Sequence, residues 1–274
     1  MKITTRTRAI LLATTITVVF FVLQGVSLLD LLELNFGFDF LELFVLSLIT
    51  YFGIFWVANF RISGERFITV LLFPAMTLFI LMLYIELIID SILGDVGKVV
   101  TQIVASVIVA AISYILILTA NVLNIGFLEK IPLSQAGRAA HYVLTLISSY
   151  LFFSIIFSNS FPVVLKLAAV FLISYLFTSI ALWTIDIRYN QRLLASLAIA
   201  LMMFGFSFVL VIWPIGSEYL ALILSLVLYM ALGIALEVRE VLGARIWLEY
   251  GFLYVIIVLI LFIISNWGIN GRLI

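Results

Sequence analysis

Nine long apolar runs divide this chain, at residues 9–29, 41–59, 67–88, 99–122, 141–159, 162–185, 193–213, 217–236 and 249–267, with short polar segments between them. A helix rises about 1.5 Å per residue, so about 20 residues cross a hydrocarbon core of about 30 Å. Many of the runs are rich in Ile, Val and Phe, which favour strands. Their length decides against strands, which run about 4–8 residues. Barrel strands would also alternate polar and apolar residues, and these runs do not. In lipid every backbone N–H and C=O needs a partner inside the protein, which leaves only helices and closed barrels. The pattern predicts an all-α, polytopic integral membrane helix bundle of about nine transmembrane helices. It predicts a single transmembrane domain over 1–274 with no soluble domain.

Composition agrees. Hydrophobic residues make up 66% of the 274 and charged residues 10%, against about 45–50% and about 25% in soluble domains. So few charges cannot cover so much apolar side chain in water, whereas lipid solvates it. The formal net charge is zero, so no basic surface suits nucleic acid. There is no cysteine and a single histidine, which excludes disulfides, thiolate metal sites and His-rich metal cages. The chain has no Gly-rich Lys-Ser/Thr phosphate loop, no His-Glu-x-x-His and no Gly-x-Ser-x-Gly. No catalytic, cofactor-binding or metal residue is assigned, and no cofactor is expected.

Basic residues orient the bundle. Lys2, Arg6 and Arg8 precede the first run. At about 21 residues that run is longer than a signal-peptide core of about 7–15, so it is read as a retained first span. With the N-terminus in the cytoplasm, 11 of the 14 Lys and Arg residues fall in inner segments. Only Lys98 and Arg272 fall in outer segments, and Lys166 lies within a span. The positive-inside rule therefore places the N-terminus inside and, with nine spans, the C-terminus outside. Trp213 and Trp267 fall at outer span ends, and Trp56, Trp183 and Trp247 near inner ends, as aromatic belts require. The expected location is the plasma membrane, of a bacterial inner-membrane kind, with membrane lipids as partners.

Four polar groups stand out. The first outer loop holds Asp30, Glu33, Asp39 and Glu42, where a carboxylate base or metal ligand would suit a transferase acting on lipid-linked substrates; the plainer reading is an acidic rim. Glu86 near the outer end of the third span, Asp90 one turn on, and Lys166 just inside the sixth form a candidate outer polar cluster. Glu86 and Lys166 lie at similar shallow depth and could pair; the plainer reading is snorkelling to the interface. Arg138 and His141, three residues apart at the start of the fifth span, are a candidate contact for an anion or lipid headgroup. The plainer reading is an interfacial helix start. The mixed-charge segment 237–249 reads as a surface turn joining the last two spans.

The run Asn121-Val122-Leu123-Asn124, then Gln135-Ala136-Gly137-Arg138-Ala139-Ala140-His141, then an apolar span ending Ile155-Ile156-Phe157-Ser158, resembles an uncharacterised family of bacterial multi-span membrane proteins known only as a domain of unknown function. Ala181-Leu182-Trp183, Trp213-Pro214 and Glu249-Tyr250 are similar to later parts of that pattern. The likeness covers about residues 115–265 and implies a polytopic inner-membrane protein, with no activity or site residue to transfer. Three functions remain, in order: a non-enzymatic membrane component that binds or scaffolds a partner or lipid, a small permease or lipid carrier, and a membrane transferase at the outer face.

Overall fold

The described residues fold as the apolar runs demand. In the computed structural model these are residues 4–28, 36–60, 62, 64–89, 98–129, 133–184, 188–213 and 215–237, with parts of 251–263. Among them every regular element is helical. The helices are α1 (Thr5–Leu28), α2 (Phe36–Val57), α3 (Glu65–Tyr84, running on into a π-helical turn at Ile85–Ile89), α4 (Lys98–Glu129), α5 (Leu133–Ser158), α6 (Val163–Trp183), α7 (Tyr189–Ile212) and α8 (Ser217–Glu237). Seven carry apolar stretches long enough to cross a membrane: Thr5–Gln24, Val70–Leu87, Val100–Ile125, Gln135–Ser158, Val163–Trp183, Tyr189–Ile212 and Ser217–Leu236. The expected second span appears as Leu41–Val57 within α2, shorter than expected and at the low end of the ~17–25 residues that suffice. The expected ninth span is helical at 251–252, 254–257, 259 and 262–263 and otherwise lies outside the described residues. The chain is a multi-pass membrane protein built from these helices.

The chain forms two compact units, Met1–Leu144 and Thr145–Ile274. In the first, α1 packs on α2 and α4, while α3 packs on the same two helices. The four thus close a ring, with a smaller α2–α4 contact across it. Its interior is Ile16, Phe20, Leu46, Ile54, Leu71, Leu78, Met82 and Leu116, all fully buried. Gly53 lets α1 approach α2: a Cβ there would stand 2.3 Å from Cδ1 of Leu12. In the second unit α6, α7 and α8 pack pairwise around Val170, Phe177, Ala200, Met203, Ala221 and Leu228.

Outward faces carry large apolar side chains. Val164 and Ile212 are 79% and 71% exposed. Water would penalise that arrangement by about 25 cal/mol for each Å² of apolar surface, but lipid does not. Inward faces carry small hydroxyls, among them Thr50, Ser113, Ser149, Ser196 and Ser207, all fully buried. Each of these donates to a carbonyl three or four residues back, at 2.8–3.0 Å. The bond satisfies the hydroxyl within its own helix, and the small side chain lets neighbouring backbones come close.

One end of the first unit is clasped by a charge. Arg8, in the first turn of α1, donates to the Trp56 carbonyl at 3.2 Å and to Oδ1 of Asn59. Its guanidinium also lies 5.3 Å from the Trp56 ring centroid. The acceptors sit where α2 ends in left-handed residues, Asn59 (φ 55°) and Phe60 (φ 58°). Asn tolerates that conformation readily, whereas Phe does so at a cost. The Phe60 ring packs edge-on against Phe55 at 4.9 Å, and Phe55 against Phe67 at 5.4 Å. A cation at a helix C-terminus also meets the negative end of its dipole. Arg8→Ala is expected to destabilise the protein in detergent by about 1–2 kcal/mol, with Arg8→Lys intermediate. Thermal unfolding of the purified variants checks the order.

Candidate functional site

Spans alternate in direction, so the end of α1, the apolar start of α2, the end of α3 and the start of α4 fall on one side of the membrane. The sequence places a polar side chain at each: Gln24, Glu42, Glu86 and Gln102. In the first unit, Gln24, Glu42 and Glu86 line one small open cleft of about 20 Å³ whose apolar wall is Phe20, Leu23, Leu43 and Leu46. Nε2 of Gln24 lies 3.5 Å from Oε2 of Glu86, at the outer limit of a hydrogen bond. Beside the cleft, Gln102 is buried and donates to the Phe21 carbonyl at 2.7 Å, tying α4 to the last turns of α1.

The local geometry of α3 sets the position of Glu86. Its α-helix ends at Tyr84, and the backbone N–H of Ile85 is shared between the carbonyls of Leu81 and Met82. From there Ile85–Ile89 adopt π-helical geometry. A π turn takes more residues than an α turn, so it shifts the side chains beyond it to a new angular register; such turns recur at functional sites. Glu86 and Glu42 are both half-buried. Two carboxylates and an amide facing one small opening offer mostly acceptors. The arrangement suits a cationic or hydrogen-bond-donating guest of a few atoms. Among the described residues no three His, Cys, Asp or Glu side chains gather at metal-binding distance.

The other residues singled out from the sequence lie as follows. Lys166 belongs to the second unit, where its ammonium donates to the Phe157 carbonyl at 3.3 Å and stands 5.9 Å from the Phe157 ring centroid. Glu86 belongs to the first unit, so each of the two has contacts within its own unit. Asp90, Asp30 and Glu33 lie outside the described residues, as does segment 238–249. Asp39 lies on helix α2, and its side chain is outside the described set. Arg138 is exposed, whereas His141 is 3% exposed with its ring 4.0 Å from that of Phe73. Gly137 explains the difference: a Cβ there would stand 2.9 Å from Cγ1 of Val122, so α5 starts close against α4. One face of the early turns of α5 is thus pressed inward and carries His141 with it. Gln24 and Gln102 were missed from the sequence. The available signal was an amide one turn from the end of an apolar run, on the same side as Glu42 and Glu86.

No protein-family model, curated protein or solved structure matches the chain.

The cleft geometry is open to a direct check. Single cysteines introduced as Gln24→Cys, Glu42→Cys and Glu86→Cys are expected to react with a membrane-impermeant maleimide from one and the same side. Leu78→Cys, at a fully buried position outside the cleft lining, is expected to stay unlabelled. Reaction of the three from opposite sides, or equal labelling at 78, would contradict the cleft.

Proposed function

We propose that this chain is a non-enzymatic, nine-span component of the bacterial plasma membrane, N-terminus inside and C-terminus outside, that engages anionic lipid headgroups or a membrane partner through arginines at the inner ends of its spans. The observation that carries this reading is the exposure of Arg6, Arg138 and Arg188. Arg6 lies in the first turn of α1, Arg138 in the second turn of α5, and Arg188 immediately before α7. An arginine there has the same sign as the positive end of the helix dipole, so it gains nothing from its own helix. Both the exposed N–H groups of a helix start and the guanidinium are satisfied by the same thing, an anion such as a phosphate. The first, fifth and seventh spans all begin on the cytoplasmic side in the proposed topology, where anionic lipid is met.

Each basic residue near an anionic surface contributes about 1 kcal/mol. Replacing Arg6, Arg138 or Arg188 by alanine is therefore expected to weaken retention of phosphatidylglycerol, against phosphatidylcholine, by about fivefold per arginine. Native mass spectrometry of protein released from mixed-lipid nanodiscs measures it, and unchanged retention in the triple variant would remove the basis for this reading. Topology is separable, because the chain has no native cysteine. Cysteines at positions 4 and 273 are expected to label from inside and outside respectively.

A second reading, a small carrier, is favoured by one observation: the Gln24–Glu42–Glu86 cleft between α1, α2 and α3. It expects proteoliposomes to pass protons or a small cation, with flux abolished in Glu86→Gln. Flux equal to that of empty vesicles would leave the headgroup-binding reading alone.

A further inference from the structure

The cleft between α1, α2 and α3 sets Gln24, Glu42 and Glu86 over an apolar wall. Its volume of about 20 Å³ exceeds the ~10–15 Å³ that one water-sized body needs. An occupant therefore has room, and the opening lets it enter. The chemistry of the lining selects it. Ionised carboxylates only accept hydrogen bonds, and the Gln24 amide is the one N–H donor group among the described side chains that line the cleft. That donor lies 3.5 Å from Oε2 of Glu86, at the outer limit of a hydrogen bond. The other end of the amide, Oε1, is buried and has no hydrogen-bond partner. Half a turn of the amide about its last bond exchanges the two ends. The turn would set a third oxygen toward the carboxylates, which is unfavourable in an empty cleft and favourable around a cation.

All three side chains offer oxygen, the donor that hard cations take. Two oxygens from each carboxylate and one from the amide are the most they supply. Calcium takes about 6–8 oxygens, and magnesium keeps several of its waters. A space for one water-sized body meets neither demand. The cost of shedding a hydration shell also rises with the square of the charge, so a single charge enters an apolar-walled cleft most readily. We propose that the cleft binds one alkali cation, sodium or potassium, between Gln24, Glu42 and Glu86, and that the ion ties α1, α2 and α3 together at this end of the first unit. The proposal rests on the cleft that the carrier reading uses, but it asks for occupancy and not for passage.

Binding is measured first on the native chain in detergent. Sodium-22, or rubidium-86 in place of potassium, is expected to bind saturably at one ion per chain. The melting temperature is expected to rise by about 2–4 °C for each tenfold rise in that ion above its Kd, against N-methyl-D-glucamine chloride of equal ionic strength. Glu42→Gln and Glu86→Gln each remove a ligand charge and are expected to weaken binding by about tenfold or more. In N-methyl-D-glucamine chloride both are expected to melt within about 2 °C of the parent, which separates lost binding from lost folding. Saturable binding of neither ion, or binding unchanged in the Glu42→Gln, Glu86→Gln double variant, would overturn the site. Lys98, the first residue of α4, is the one Lys or Arg that the sequence places on this side of the first unit. Alkali binding found in Lys98→Gln but not in the native chain would make the lysine ammonium the occupant and sink the proposal equally. Alkali binding without flux in proteoliposomes upholds the site and ends the carrier reading; proton flux without alkali binding does the reverse.

Discussion

The constraint on which this structure depends is that polar groups in hydrocarbon have no solvent to fall back on. Water satisfies an unpaired carbonyl at the surface of a soluble protein; lipid tails cannot. The backbone meets the constraint by making every regular element among the described residues a helix. The side chains meet it by bonding to that same backbone. Thr14, Thr15 and Thr17 on α1, Thr50 on α2, Ser106 on α4 and Ser225 on α8 all donate to carbonyls three or four residues earlier. Such bonds compete mildly with helix geometry in water. Here they let a hydroxyl be buried without a partner on another helix. The small polar residues can then serve as spacers between helices, and the bulky apolar ones are left to face outward.

Helix ends pose the harder problem, because the last carbonyls of a helix lack intrahelical donors. The protein answers with side chains reaching back or across. Arg8 reaches from α1 to the end of α2. At the end of α5, Lys166 donates to Phe157 and the Asn159 amide donates to Ile155 at 2.7 Å. Ser158 donates to Ser217, joining the end of α5 to the start of α8. Arg8 and Lys166 each also lie within about 6 Å of an aromatic ring centroid, where a cation is attracted to the ring. The charges scarce elsewhere in the chain are used where backbone groups run out of partners.

Length and apolar content made most of this architecture legible from the sequence. Seven spans are found where the runs predicted them, because the hydrocarbon thickness sets a length that composition reports directly. What the runs do not encode is which helices touch. The closed ring α1–α2–α3–α4 follows from side-chain fit, such as Gly53 against Leu12, which no periodicity announces. The same limit separated Arg138 from His141. Three residues apart, they share a face in an isolated helix, but close packing at Gly137 draws His141 under Phe73 and leaves Arg138 outside. Glu86 was noticed as an intramembrane charge. Its neighbours Gln24 and Glu42 were not joined to it, because the joining depends on a π turn and on ring closure, both tertiary facts. Segment 29–35, where Asp30 and Glu33 fall, lies outside the described residues.

The place where regular α-helix lapses is informative because α geometry is otherwise kept so consistently. α3 could have continued as an α-helix to its end, yet Ile85–Ile89 widen and Glu86 turns toward Gln24. That departure carries an energetic cost in an apolar medium. A cost of this kind persists where something else offsets it. The offset expected of acceptors gathered at a membrane edge is a donor or a cation.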